Sequence, residues 1–362
     1  MKVLVTGATG RVGANVVKRL AVSGVAVRAM VTPGDAKKAK IEDLPNVELA
    51  EADLRDQNSV SRACRGVTHV VHLAAQMVLG GMPVDRFYDI NSLGTLRLLE
   101  GVLADSDRFE RFVLASTDST YRPGKPPKLP LTEDVEQVPT DYYGTSKLLG
   151  EIILRNRAVQ FDIPFSIVRF GTVLSPEEAD GIYRLGFLRG WLGTQQRQGR
   201  MSTLWPLFDD RADLVEIFDA AVGDAPDAAA VSLTGPEGPW TLSVVDVRDA
   251  AQGVCRALTE PGAVGHTFNI AAAAPTRSDE GADAVAKIHG VPKYSVRLPF
   301  TWRLEISVDA ARDRIGYKPA YDYAATLSAG IRPVVGESDP DGYIPAAEGD
   351  AGVFAKLSGK RS

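Results

Sequence analysis

Short, mostly apolar runs alternate with helix-length segments through the first 170 residues. Residues 2–6 (KVLVT), 25–31, 47–52, 68–74, 111–116 and 165–170 predict strands. Each is nearly continuously apolar rather than alternating, the pattern of strands covered on both faces in a parallel sheet. Between them Arg11–Ser23, Asp56–Cys64, Asn91–Leu103 and Thr140–Gln160 have helical length and pattern, and Asp56 suits the N-cap of its helix. Repeated β-α-β order implies right-handed crossovers and a doubly wound α/β sheet. From about residue 174 the rhythm breaks. Residues 177–240 mix Tyr183, Phe187, Trp191, Trp205 and Phe208 with arginines, glycines and prolines, as a smaller subdomain would. A regular helix-like segment (VVDVRDAAQG, 244–253) and a strand-like one (266–271) then return. The predicted division is 1–173 with 241–272 rejoining the sheet, then 174–240 and 273–335 as the subdomain. Residues 336–362 read as a poorly structured tail.

Composition narrows the partners. The 362 residues carry a net charge of −5, which argues against nucleic acid or an anionic membrane surface. No stretch approaches the roughly 20 apolar residues of a membrane span. Strand-like sequence begins at Lys2, so no signal peptide is expected. Cys64 and Cys255 lack metal-ligand spacing and read as buried thiols of a reducing, cytoplasmic protein. The four histidines show no metal pairing, and His72 reads as a satisfied core residue.

Gly7, Gly10 and Gly13 stand as G-x-x-G-x-x-G directly after the first strand and before the first helix. One glycine permits a backbone conformation closed to other residues, one lets pyrophosphate approach, and one packs helix on strand. The helix N-terminus then favours the negative charge. Context makes this a dinucleotide loop. About 130 residues on, Tyr143 and Lys147 stand four apart at the start of a helix, one turn above each other on one face. A phenol with an ordinary pKa of about 10 is a poor base at neutral pH, and a nearby ammonium favours the phenolate. Lys147 is therefore expected to lower the pKa of Tyr143.

These motifs resemble the extended short-chain dehydrogenase/reductase superfamily of NAD(P)-dependent epimerases, dehydratases and reductases. TGATGRVG is similar to its phosphate loop, which places Gly7, Thr9, Gly10, Arg11, Val12 and Gly13 at the cofactor. Asp53–Leu54 resembles its adenine contact, Leu73–Ala74–Ala75 its strand end beside the cofactor, and Asn91 its structural asparagine. The resemblance covers about residues 1–330. It implies a Rossmann-type domain with a smaller C-terminal substrate-binding subdomain, and a homodimer. It also implies Tyr143 as proton donor and acceptor, Lys147 on the nicotinamide ribose, and Thr117 as the hydroxyl orienting the reacting oxygen. Ser116 takes that role if the register slips by one. Asp118 in STDSTY is similar to the acid of nucleotide-sugar 4,6-dehydratases, but Ser119 replaces their glutamate.

At the end of the second strand Val31–Thr32 stand where NAD-preferring relatives hold a carboxylate, and Asp35 is expected to point away. With Arg11, Lys37 and Lys38 nearby, NADP is slightly favoured over NAD. Thr172 and Ser175 depart from the residues usual in sugar-nucleotide enzymes, while Arg184, Arg189, Arg197 and Arg200 could recruit an anion. The first expectation is an NAD(P)-dependent oxidoreductase acting on an alcohol or carbonyl of a small molecule. A nucleotide-sugar epimerase or dehydratase is the alternative, and a non-catalytic NADP-sensing regulator the third.

Overall fold

The computed structural model describes residues 1–77, 83–105, 109–122, 126, 128–202, 205–208, 211–331 and 343–345. Seven parallel strands form its central sheet. They are β1 (Lys2–Thr6), β2 (Ala26–Val31), β3 (Val47–Glu51), β4 (His69–His72), β5 (Arg111–Thr117), β6 (Phe165–Phe170) and the strand His266–Ile270. Their spatial order, 3-2-1-4-5-6 followed by His266–Ile270, is that of a Rossmann-type sheet. Strand order reverses between β1 and β4, so a crevice opens beyond their carboxyl ends.

The apolar runs are continuous because both faces are covered. On one face α1 (Arg11–Val22) and the helix Val247–Thr259 bury Val5, Val17, Val71, Val113, Val254 and Phe268. On the other, α2 (Gln57–Cys64), α3 (Gly94–Leu103) and α4 (Tyr142–Phe161) bury Leu4, Val70, Leu98, Leu114, Leu154 and Ile167. Asp56 caps α2, its side chain accepting from the N–H groups of Asn58 and Ser59. The helix expected to begin at Asn91 instead starts as a π-helical turn, Tyr88–Leu93, ahead of α3.

The segment 241–272 divides on folding. His266–Ile270 joins the main sheet, whereas Val244–Asp246 pairs in parallel with β7 (Thr172–Leu174) in a separate two-stranded ribbon. A smaller C-terminal region has its own sheet, in which Ala230–Gly235 pairs with Lys293–Arg297 and with Gly238–Pro239. Its core gathers Leu188 and Leu192 of α5 (Leu185–Gln198) with Phe218, Val231, Trp240 and Val296. Of the expected tail, only 343–345 fall among the described residues. Asn15 of α1 clasps Ile344, donating to its carbonyl at 3.0 Å and accepting from its N–H at 2.7 Å.

Candidate active site

The glycine turn follows β1 into the crevice. Gly7 has φ +65°, and a side chain there would come within 2.7 Å of the Ala74 nitrogen. A Cβ on Gly13 would lie 1.9 Å from the Gly7 carbonyl oxygen, so α1 seats flush on the turn only because Gly13 is bare. Gly10 is the N-cap of α1; it makes no side-chain capping bond, and the first turn holds no acid. A helix N-terminus left in this state, fronted by a side-chain-free turn, fits a pyrophosphate. Leu73, Ala74 and Ala75 are partly exposed beside it, with the Ala74 N–H donating to Thr6 at 3.1 Å. Asn91 is buried. Its amide holds both backbone groups of Gln76 and donates to Ser146 at 2.9 Å, so it ties the loop after β4 to α4. The Asp53 carboxylate lies in the Arg55 fork, whose hydrogen bonds hold its pKa below the usual range, and Leu54 is buried. Val12 lies in the first turn of α1, and Thr32 just past β2.

Two expectations about the cofactor rim are revised. Asp35 does not point away, because its carboxylate turns back to accept from the Thr9 hydroxyl at 2.6 Å and from Lys37 N–H at 3.0 Å. The turn Pro33–Gly34, with Gly34 at φ +77°, redirects the chain to allow this. Arg11 reaches away from the rim, donating to the Val173 carbonyl at 2.7 Å and pairing with Glu178 at 2.9 Å. Within the smaller region, Arg184 pairs with Asp180, and Arg189 with Asp219 and Asp227.

The second half of the site comes from β5 and α4. Thr117 ends β5 and is register partner of Phe170 on β6. Its hydroxyl donates to Asp118 at 3.0 Å and accepts from Ser119 N–H at 3.1 Å, and it lies near enough to the Tyr143 phenol to favour the phenolate slightly. Ser116 faces the opposite side of the strand and donates to Glu151 at 2.5 Å. Asp141 caps α4, accepting from Gly144 N–H at 2.8 Å. Gly144 admits the Ser119 carbonyl, which an added Cβ would meet at 2.3 Å, so α4 lies close on the end of β5. Tyr142, one step around the helix, packs edge-on against Phe87 at 4.7 Å.

Electrostatically the site is a buried cluster. Burial lowers the pKa of Lys147 to about 8 against the opposing pull of Glu151 one turn on. Burial first, then the charges of Asp118 and Asp141, hold the Tyr143 phenol well above its ordinary value. The expected lowering by Lys147 is not met, because desolvation and the two nearby carboxylates dominate the phenol. Burial raises Asp118 to about 6, against hydrogen bonds from Thr117 and Ser119. His72 is buried, with burial bringing its pKa down to about 3; Nδ1 pairs with Thr6 at 2.8 Å, but among the described residues Nε2 has no partner. It is a half-satisfied core histidine rather than a satisfied one.

Sequence reasoning missed the layer beneath. Glu151 and Arg169, 1% and 2% exposed, form a two-pronged ion pair at 2.7 and 3.0 Å. Arg169 also donates to Tyr121, which donates to Asn269 at 2.8 Å. The available signal was the spacing, since Glu151 stands four residues beyond Lys147 on the same face.

The glycine loop at the switch point, with Thr117, Tyr143 and Lys147 on the strand and helix beside it, completes the candidate site. A model described as NAD dependent epimerase/dehydratase family matches residues 3–271. The chain belongs to that family. It superposes with TM-score 0.77 on an Agrobacterium tumefaciens short-chain dehydrogenase/reductase superfamily protein with bound NAD. That protein is 28% identical, with 91% of this chain and 96% of the other covered. A UDP-glucose 4-epimerase of Mycolicibacterium smegmatis is 26% identical over 88% of this chain and 94% of its own. One of Azospirillum brasilense is 31% identical over 49% of this chain and 51% of its own. Several of the curated relatives are matched over only about half their length. Among the described residues no helix is long and apolar enough to cross a membrane.

Proposed function

We propose that this family member is an NAD-dependent oxidoreductase acting at a secondary alcohol or ketone of a small molecule. The observation that carries this is the placement of Thr117 at the end of β5 beside Tyr143 of α4, with Lys147 one turn on along the same helix face, at the crevice that also holds the glycine loop. The cofactor supplies or accepts the hydride when bound. Tyr143 moves the proton on the substrate oxygen, Thr117 orients that oxygen, and Lys147 would hold the ribose hydroxyls of the bound cofactor. The buried Glu151–Arg169 pair holds α4 against β5 and β6 so that these groups keep their spacing.

NAD is preferred to NADP in this reading. Asp35 places a carboxylate at Thr9 of the loop, where it repels an added 2′-phosphate, and Arg11 is committed to Glu178. A homodimer is supported by an apolar stripe on α4, where Leu149, Ile152 and Val159 are 38%, 51% and 84% exposed, beside Leu93 at 43%. A cytoplasmic location fits the two free cysteines.

Nucleotide-sugar epimerisation is the second reading, favoured by the UDP-glucose 4-epimerases among the relatives. Cofactor stoichiometry separates the two. Net formation of one NADH per alcohol consumed supports the oxidoreductase, whereas interconversion of UDP-sugars with no net change in NADH overturns it.

A further inference from the structure

In the smaller region three of the four tryptophans in the chain, Trp191, Trp240 and Trp302, line a cavity of about 180 Å³. Trp191 and Trp302 stack nearly parallel, 21° apart with centroids at 5.7 Å, and Trp240 stands edge-on to Trp191 at 6.3 Å. Tyr183 and Phe187 add to the wall, and Thr172 stands at its β7 side. The described lining residues include no Asp, Glu, Lys, Arg or His. Trp240 is locked in place by its indole N–H, which donates to the Phe300 carbonyl at 3.0 Å.

Such a wall selects by shape and polarity. A phosphate or carboxylate seated in it would lose water and gain no cation, which is costly. An uncharged ring, by contrast, gains dispersion and edge or face contacts from the indoles. An apolar cavity of roughly 150 Å³ already accommodates benzene, so this one takes a six-membered ring with a fused or attached group. The cavity also lies on the reactive side of the sheet. Thr172 is two residues beyond Phe170, the register partner of Thr117, about 7 Å along an extended chain.

We infer that this cavity receives an uncharged, largely apolar ring of the substrate, making the substrate a ring-bearing alcohol or ketone rather than a sugar nucleotide. The chemistry at its oxygen rests on the Tyr143 reading above; the binding of the ring does not.

The test uses the full chain with NAD and follows tryptophan fluorescence. 1-Tetralone, an uncharged fused-ring ketone, is titrated in parallel with UDP-glucose. The expected result is saturable quenching by 1-tetralone, weakened at least tenfold by Trp302→Ala and by Thr172→Asp, while both variants bind NAD as the parent does. Unchanged NAD affinity shows that the variants are folded. Retained 1-tetralone binding in Tyr143→Phe is also expected. The inference is overturned if 1-tetralone gives no saturable signal in the parent protein. It is equally overturned if UDP-glucose binds and the same two substitutions weaken it as much. Failure of 1-tetralol to yield NADH, with ring binding intact, counts against the catalytic reading and leaves the ring site standing.

Discussion

Replacing Asp118 with asparagine should stabilise the protein at neutral pH. Asp118 is partly buried at the end of β5, and burial raises its pKa to about 6 from an ordinary 3.8. Between those values the native state binds the proton and the unfolded chain does not. Stability therefore falls as pH rises from about 4 to about 6 and stays depressed above. The whole shift corresponds to about 3 kcal/mol at pH 7.5, and to roughly half that at pH 5. Asparagine copies the neutral acid in shape and still accepts from Thr117 and Ser119, so Asp118→Asn removes the cost of burying the charge. Urea denaturation of parent and variant should show a gain of about 3 kcal/mol at pH 7.5 that shrinks to about half at pH 5. Because Asp118 also helps hold the Tyr143 phenol up, the pH at which alcohol oxidation reaches half its plateau should move down in the variant. A variant no more stable than its parent at pH 7.5, or a gain independent of pH, would refute the reasoning.

Further substitutions separate binding, chemistry and support. Tyr143→Phe should keep NAD affinity by calorimetry and lose roughly a hundredfold or more in turnover, whereas Tyr142→Phe, whose ring packs on Phe87, should leave turnover near the parent value. Arg169→Met strands the buried Glu151 carboxylate and should cost about 3–5 kcal/mol in urea denaturation. Gly13→Ala forces a methyl group into the Gly7 carbonyl and should lower the melting temperature and NAD affinity together. Gly10→Val, whose Cβ meets that oxygen at 3.2 Å, a tight contact far milder than the 1.9 Å at Gly13, should keep the fold and lose NAD binding. Asp35→Ala should shift the NAD-to-NADP preference toward NADP by about tenfold or more in k-ratio measurements, about 1.4 kcal/mol; an unchanged ratio removes the argument for NAD.

Much of this protein is local. The continuous apolar runs, the glycine turn with its strand before and helix after, and Tyr143 four residues ahead of Lys147 determined by themselves the parallel sheet, the bare turn at the crevice and the pairing of Tyr143 and Lys147 on one helix face. Each depends on period and spacing within a few residues, which sequence carries directly. The tertiary structure decided whatever depends on where a side chain ends. Thr117 rather than Ser116 faces Tyr143 because strand alternation turns on the register of β5. Asp35 returns to Thr9 because a Pro–Gly turn reverses the chain, and Arg11 leaves the rim because Glu178 lies within reach across 167 positions of sequence. The protonation states of Tyr143, Lys147 and Asp118 follow from how deeply the fold buries them, and desolvation is a property of the packed site rather than of any stretch of chain. The tryptophan-lined cavity likewise needed Trp191, Trp240 and Trp302 brought together from three separate segments.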